Sequence, residues 1–117
     1  MIKGFNKWLL ESVSYISEIK DEDIIAATII GEAGGEDYSG MLAIKNVLDN
    51  RAKSKNTSAA GEAIRPKQFS MWNTATKTVS VKADYDNEEL KAIIDMHRDH
   101  EKWNDAIIIA NKQVTDT

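Results

Sequence analysis

The chain has no cysteine, a single proline and only two histidines. Without cysteine there are no disulfides and no thiolate metal sites, although compartment stays open on this ground. Long hydrophobic runs are missing too. The longest strongly apolar stretch, Ala106-Ile107-Ile108-Ile109-Ala110, is far too short to span a bilayer, so no membrane span is expected. At the N-terminus Asn6, Lys7 and Glu11 interrupt the apolar residues that follow Lys3, and no signal peptide is visible. Basic charge is in short supply, with 15 Lys and Arg against 19 Asp and Glu and a net charge of -4. That balance argues against a nucleic-acid partner, because phosphate contacts need a basic surface. An anionic cell wall would likewise have to be bound by local hydrogen bonds and stacking. There is no internal repeat and no low-complexity segment.

What is present is a 117-residue chain with 42% hydrophobic and 29% charged residues, a composition typical of one soluble globular domain over 1–117. Phe5, Leu9, Val13 and Ile16 recur at helical spacing and predict an amphipathic helix over 5–16. A second helix holds Ile24, Ile25, Ala27, Thr28 and Ile29, is capped by Asp21 or Asp23, and runs into Glu32. A third covers 39–53, with Met41, Ile44, Val47, Leu48 and Arg51 along one side. Asn50 and Arg51 near its end read as structural support for the last carbonyls. Small and polar residues over 53–60 predict a loop.

Pro66 disfavours a helix around it, so 68–72 is expected to be irregular or extended. Residues 76–83 read either as a short strand or as a loop. Asn87 followed by Glu88 and Glu89 reads as a helix cap with an acidic first turn, and Leu90, Ile93, Ile94 and His97 mark the helix. Trp103, Ala106, Ile107 and Ala110 mark the last one, beyond a kink near Asp99. The expected fold class is mainly α, with one irregular or short β segment in the middle.

Chemistry concentrates at Ile29-Ile30-Gly31-Glu32-Ala33-Gly34-Gly35-Glu36. An apolar helical run ends in a carboxylate there. Ile29, Ile30 and Ala33 are expected to strip water from Glu32, which favours the protonated form and suits a proton donor. The glycines leave room for a bulky ligand to approach the backbone. The plainer alternative is a helix end with a glycine stop and a solvated Glu. Downstream follow Gly40, Asn50-Arg51 and Gln68-Phe69-Ser70-Met71-Trp72-Asn73.

These elements, in this order, resemble the cell-wall hydrolase family typified by spore-cortex-lytic enzymes, closely over 25–73 and loosely from Trp103 to Asp116. The resemblance implies a lysozyme-like, transglycosylase-type domain that cleaves peptidoglycan glycan strands and needs no cofactor or metal. It places Glu32 at the catalytic acid position and Glu36 at the second acidic position. Gln68, Phe69, Ser70 and Trp72 fall where the family borders its glycan cleft. Gly34 stands where the family usually has arginine, and Met71 where it often has cysteine. Family members generally continue past an Asp-Pro-Thr-like segment into a glycine-rich stretch with histidine or tyrosine. A further segment or a partner chain is therefore expected to complete the C-terminal side of the cleft. The implied place of action is the bacterial cell wall or periplasm. A stripped-down hydrolase domain with no visible signal peptide points to a phage-encoded enzyme, virion-associated or released by a holin.

Several residues carry two readings. Glu36 either orients water and sugar hydroxyls or caps the next helix. Trp72 suits stacking on a sugar and equally suits a core, and Tyr38 reads as a cleft aromatic or a packing residue. His97 and His100, with Asp99 and Glu101 nearby, could begin a metal site, but a third ligand is missing and a solvated polar face is the simpler reading. Asp84 and Asp86 read as a turn, since the other oxygen ligands of a calcium loop are absent. Two rivals to catalysis remain: a peptidoglycan-binding or virion assembly module that keeps the fold without turnover, and a small helical interaction protein sharing the motif by accident. The second would be marked by an exposed Glu32 and no cleft beside 68–72.

Overall fold

A computed structural model of the chain describes residues 19–79 and 82–112. The helix expected over 5–16 lies outside the described residues. What is described is mainly helical: α1 (Asp21–Ala33), α2 (Tyr38–Lys55), a short α3 (Ala59–Ala63), a 3-10 turn (Ser70–Trp72), a β1–β2 hairpin, α4 (Asn87–Arg98) and α5 (Trp103–Ala110). No described helix is long and apolar enough to cross a membrane.

α1 is the centre. Every residue from Asp23 to Ile30 is buried, and so is Ala33. A helix apolar on all sides must be enclosed, and α1 touches α2, α3, α4 and α5. Each fully buried Ile contributes roughly 1.5–3 kcal/mol. Its acidic first turn, Asp21, Glu22 and Asp23, sits at the positive end of the helix dipole. Neither Asp21 nor Asp23 caps it. Lys20 occupies the cap position with no side-chain bond, and Asp23, already inside the helix, pairs instead with Arg98 Nη2 at 3.0 Å. The buried Asp23 carboxylate's demand for a charged partner overrides its cap propensity.

α2 starts one residue earlier than expected because Asp37 caps it, accepting from Gly40 N at 3.0 Å. It ends at Asn56, whose left-handed φ of 55° closes the helix. The buried stripe is Met41, Lys45, Leu48 and Ala52. Val47, expected on the inner side, is exposed, and Arg51 is half-buried. The long apolar stem of Lys45 takes the inner position, and its ammonium reaches Asp49 Oδ2 at 2.7 Å and Lys112 O at 2.8 Å. The expected loop shrinks, since Ser58 accepts from Gly61 N at 3.0 Å and starts α3. Five residues are too few to show a helical period.

The segment after Pro66 is irregular, as expected, and tightens into the 3-10 turn. Strands β1 (Thr76–Val79) and β2 (Lys82–Tyr85) pair antiparallel, with Thr76 opposite Tyr85 and Val79 opposite Lys82. The hairpin thus takes in Asp84, which was read as part of a turn. Asp86 caps α4 by accepting from Glu89 N at 3.2 Å, one residue before the expected Asn87. α4 buries Leu90, Ile93 and Ile94. After a turn through Asp99, α5 buries Ala106, Ile109 and Ala110, with Trp103 and Ile107 packed at the core's edge.

A charged cluster joins α3 to the next turn. Glu62 is buried, with its side chain 1% exposed. It accepts from Thr57 Oγ1 at 2.6 Å and from Arg65 Nη2 at 2.7 Å. The Arg65 and Thr57 hydrogen bonds hold its carboxyl down at about 2, against an ordinary 4.5. A carboxylate depressed in the folded state stabilises it above the unfolded value, and that stabilisation fades as pH falls toward the folded value. Glu62→Gln should therefore cost about 3 kcal/mol near neutrality. In urea unfolding, the gap between the two proteins should narrow steadily below pH 4.5 and nearly close by pH 2.

Candidate functional site

The C-terminal turn of α1 is where the structure brings the sequence motifs together. Thr28 Oγ1 donates to Ile24 O at 2.8 Å and accepts from Trp72 Nε1 at 3.0 Å. Three residues on, Gly31 meets Met71: a Cβ there would overlap the thioether sulfur and stand 3.0 Å from its methyl carbon. Thr28 and Trp72 are 44 residues apart in sequence. These two contacts lay the 3-10 turn against the helical turn that carries Glu32.

Glu32 itself is exposed. The expected loss of solvation does not occur. Residues 29, 30 and 33 face the core while residue 32, about 100° away from its neighbours on the helix, faces out. The apolar residues beside Glu32 in sequence are not beside its carboxylate in space.

The 68–72 segment divides between surface and core. Trp72 is 1% exposed and Phe69 is 8% exposed, so both belong to the core. Neither ring is free to stack on a sugar. The apolar surface around α1 and the Thr28 hydroxyl supply Trp72 with a better environment than solvent does. Gln68 and Ser70 are exposed. Gln68 Oε1 accepts from Arg51 Nη1 at 3.1 Å, and the same guanidinium lies 5.8 Å from the Phe69 ring centre. Arg51 therefore braces this segment and does not serve the carbonyls at its own helix end.

Glu36 is exposed in the connection between α1 and α2. Its side chain folds over Gly40, where any Cβ would collide with it, and its carbonyl accepts from the Lys102 ammonium. The cap of α2 is Asp37, so Glu36 does not fill that role. Tyr38 opens α2, largely exposed, with the Lys112 ammonium 5.2 Å from its ring centre.

Two residues read as a solvated face turn out half-buried at the same turn of α1. A Cβ at Gly31 would stand 3.6 Å from His97 Nε2, and one at Gly34 would stand 3.2 Å from His100 Nε2. Sequence spacing held the signal: glycines three apart on one helix, histidines three apart near the end of another. Met71 and Gly34 both fall in this contact zone. Among the described residues, no group of three or more His, Asp or Glu is placed to hold a metal ion. Two cavities flank Pro66, one of about 290 Å³ beside Lys67, Asn73 and Thr76 and one of about 220 Å³ beside Arg65 and Tyr85. Glu32 lines neither.

No protein-family model, curated protein or solved structure significantly matches this chain.

The Trp72 indole is the tie between the 68–72 segment and α1. Trp72→Phe removes its hydrogen bond and part of its packing, and should lower unfolding free energy by about 1–3 kcal/mol. Chemical denaturation measures this directly, and an unchanged midpoint would place the tie elsewhere.

Proposed function

We propose that the protein cleaves peptidoglycan glycan strands as a lytic transglycosylase-type muramidase on a lysozyme-like fold, with Glu32 as general acid and base. The reading rests on one observation: Gly31-Glu32 and Gln68–Trp72, remote in sequence, are joined through Met71 and Trp72 at the last turn of α1. The mainly helical fold and the exposure of Glu32, Glu36, Gln68 and Ser70 support it. An acid must reach its substrate, and Glu32 is accessible. The water shielding that its neighbours fail to give must then come from the bound glycan.

In this mechanism the Glu32 carboxyl gives its proton to the glycosidic oxygen between N-acetylmuramic acid and N-acetylglucosamine. The resulting carboxylate takes the proton of the muramoyl 6-hydroxyl, whose oxygen attacks the anomeric carbon and closes a 1,6-anhydro ring. One carboxylate suffices for this cycle, whereas ordinary glycosidases pair two at a set separation. Glu36, folded over Gly40, is available for a supporting contact with water or sugar and is not needed for the cycle. Such an enzyme acts in the bacterial wall or periplasm, and a phage-encoded origin accords with the sequence.

A second reading draws on the exposure of Glu32, which is the mark of a small helical interaction protein sharing the motif by accident, and on the burial of Phe69 and Trp72, which leaves few aromatic contacts for a sugar. A third is a wall-binding or virion assembly module without turnover. Zymography and pull-down on the same purified peptidoglycan separate the three: clearing marks the enzyme, retention without clearing marks the module, and a chain that neither clears nor is retained favours the interaction protein.

Glu32→Gln keeps shape and removes the proton. Because the side chain is exposed, the melting temperature should stay within a degree or so, while lysis should fall by about 10²–10⁴-fold. Mass spectrometry of the parent's products should show ends lighter by one water than hydrolysed ends. Lysis undiminished in Glu32→Gln would rule out the assigned acid.

A further inference from the structure

Arg65 is held along one edge and open along another. Its Nε donates to Glu62 Oε1 at 3.2 Å and its Nη2 to Glu62 Oε2 at 2.7 Å, so one carboxylate takes the side-on fork of the guanidinium. The end-on pair, Nη1–H with the second Nη2–H, has no acceptor among the described residues. The Arg65 side chain is 39% exposed and that of Glu62 only 1%, so the accessible part of the guanidinium is the part turned away from Glu62. Arg65 lines the cavity of about 220 Å³ together with Thr57, Gly61, Glu62, Pro66 and Tyr85.

The other polar groups of this cavity fix what it can hold. Thr57 spends its hydroxyl proton on Glu62 Oε2 at 2.6 Å. Lys55 Nζ stands 3.7 Å from Glu62 Oε1, so two cations share one carboxylate and a positive charge is left over. Glu62, held down at about 2, keeps that balance at any ordinary pH. The Tyr85 hydroxyl has no hydrogen-bond partner among the described residues. Burial pushes its pKa up from 10.0 against the pull of Arg65, so it stays an O–H donor. Pro66, Gly61 and the Tyr85 ring make the remaining walls apolar.

A guanidinium fork wants two acceptor oxygens in one plane, which a carboxylate supplies. The phenol adds a third hydrogen bond, and the apolar walls suit a short hydrocarbon group. The volume lies below the roughly 300–1,000 Å³ of drug-sized sites, which limits the ligand to about one residue. A bare phosphate would leave the apolar walls empty, and a cation would meet Arg65. We propose that this cavity binds a carboxylate bearing one short apolar group, with the carboxylate on the Arg65 fork and the Tyr85 hydroxyl. Glu32 does not line it, so the site stands or falls independently of glycan cleavage.

The test titrates the full chain with N-acetylalanine, its neutral match N-acetylalaninamide, butyrate and inorganic phosphate, read by NMR at Arg65 Nε–H and the Tyr85 ring. N-acetylalanine should give saturable shifts at both residues, and the amide should bind at least about tenfold more weakly. Tyr85→Phe removes only the hydroxyl and should weaken binding about five- to tenfold. Arg65→Lys leaves Glu62 a charged partner but lacks the fork, and should lose more than about tenfold. Should Arg65→Lys fail to fold, the amide and Tyr85→Phe decide. Tighter binding of butyrate assigns a free small acid and tighter binding of N-acetylalanine a peptide end; both uphold the site. An amide that binds as well as the acid, Tyr85→Phe that binds like the parent, phosphate bound more tightly than either carboxylate, or no saturable shift at Arg65 would each overturn it.

Discussion

The structure depends on removing α1 from water. From Asp23 to Ile30 no side of this helix can be left to solvent, and the other elements are arranged to cover it. α2 and α5 supply a stripe of Met41, Leu48, Ala106 and Ile109, and α4 adds Leu90, Ile93 and Ile94. Three of the polar groups drawn in with these helices are paired. Asp23 meets Arg98, Thr28 meets Trp72, and Lys45 meets Asp49. Leaving any of these groups without its partner would cost more than the bond itself is worth, because a buried polar group pays its full desolvation.

The end of α1 escapes this enclosure and becomes the candidate site. Only Ala33 of its last three residues is buried, while Gly31 and Glu32 reach the surface. Glycine at 31 lets the Met71 thioether come closer than any side chain would permit, and a Cβ at 34 would crowd Ile30 O and the His100 ring. The exposed Glu32 therefore sits at the end of the most enclosed helix of the described fold.

Local pattern made α1, α2, α4 and α5 legible in sequence, because each runs long enough to show a helical period. Caps were legible to within a residue: Asp37 and Asp86 replaced their neighbours because a cap is chosen by backbone turn as well as by side chain. α3 was invisible at five residues, and the hairpin's alternation over 76–83 did not separate a strand from a loop. The site was legible as motif and order, less so as environment. Glu32 looked apolar in sequence because adjacency along a helix is not adjacency in space. Trp72 carried a cleft and a core reading equally, and the structure takes the core one, through a Thr28 hydroxyl 44 residues away that nothing local revealed. The histidines read as a solvated face because nothing local revealed that they would pack half-buried beside Gly31 and Gly34.

The central place of α1 also sets a problem of timing. The helix is complete at Ala33, but α5, which closes over it, is not complete until Ala110. At roughly 5–20 residues per second on the ribosome, the Ile24–Ile30 stretch emerges about 4–15 s before its last cover exists. During that interval the nascent chain carries a helix whose middle, from Ile24 to Ile30, lacks its apolar cover. It must be shielded by α2 and α3 as they emerge or by a chaperone, and mistakes made then would be aggregation, not misfolding of the finished domain.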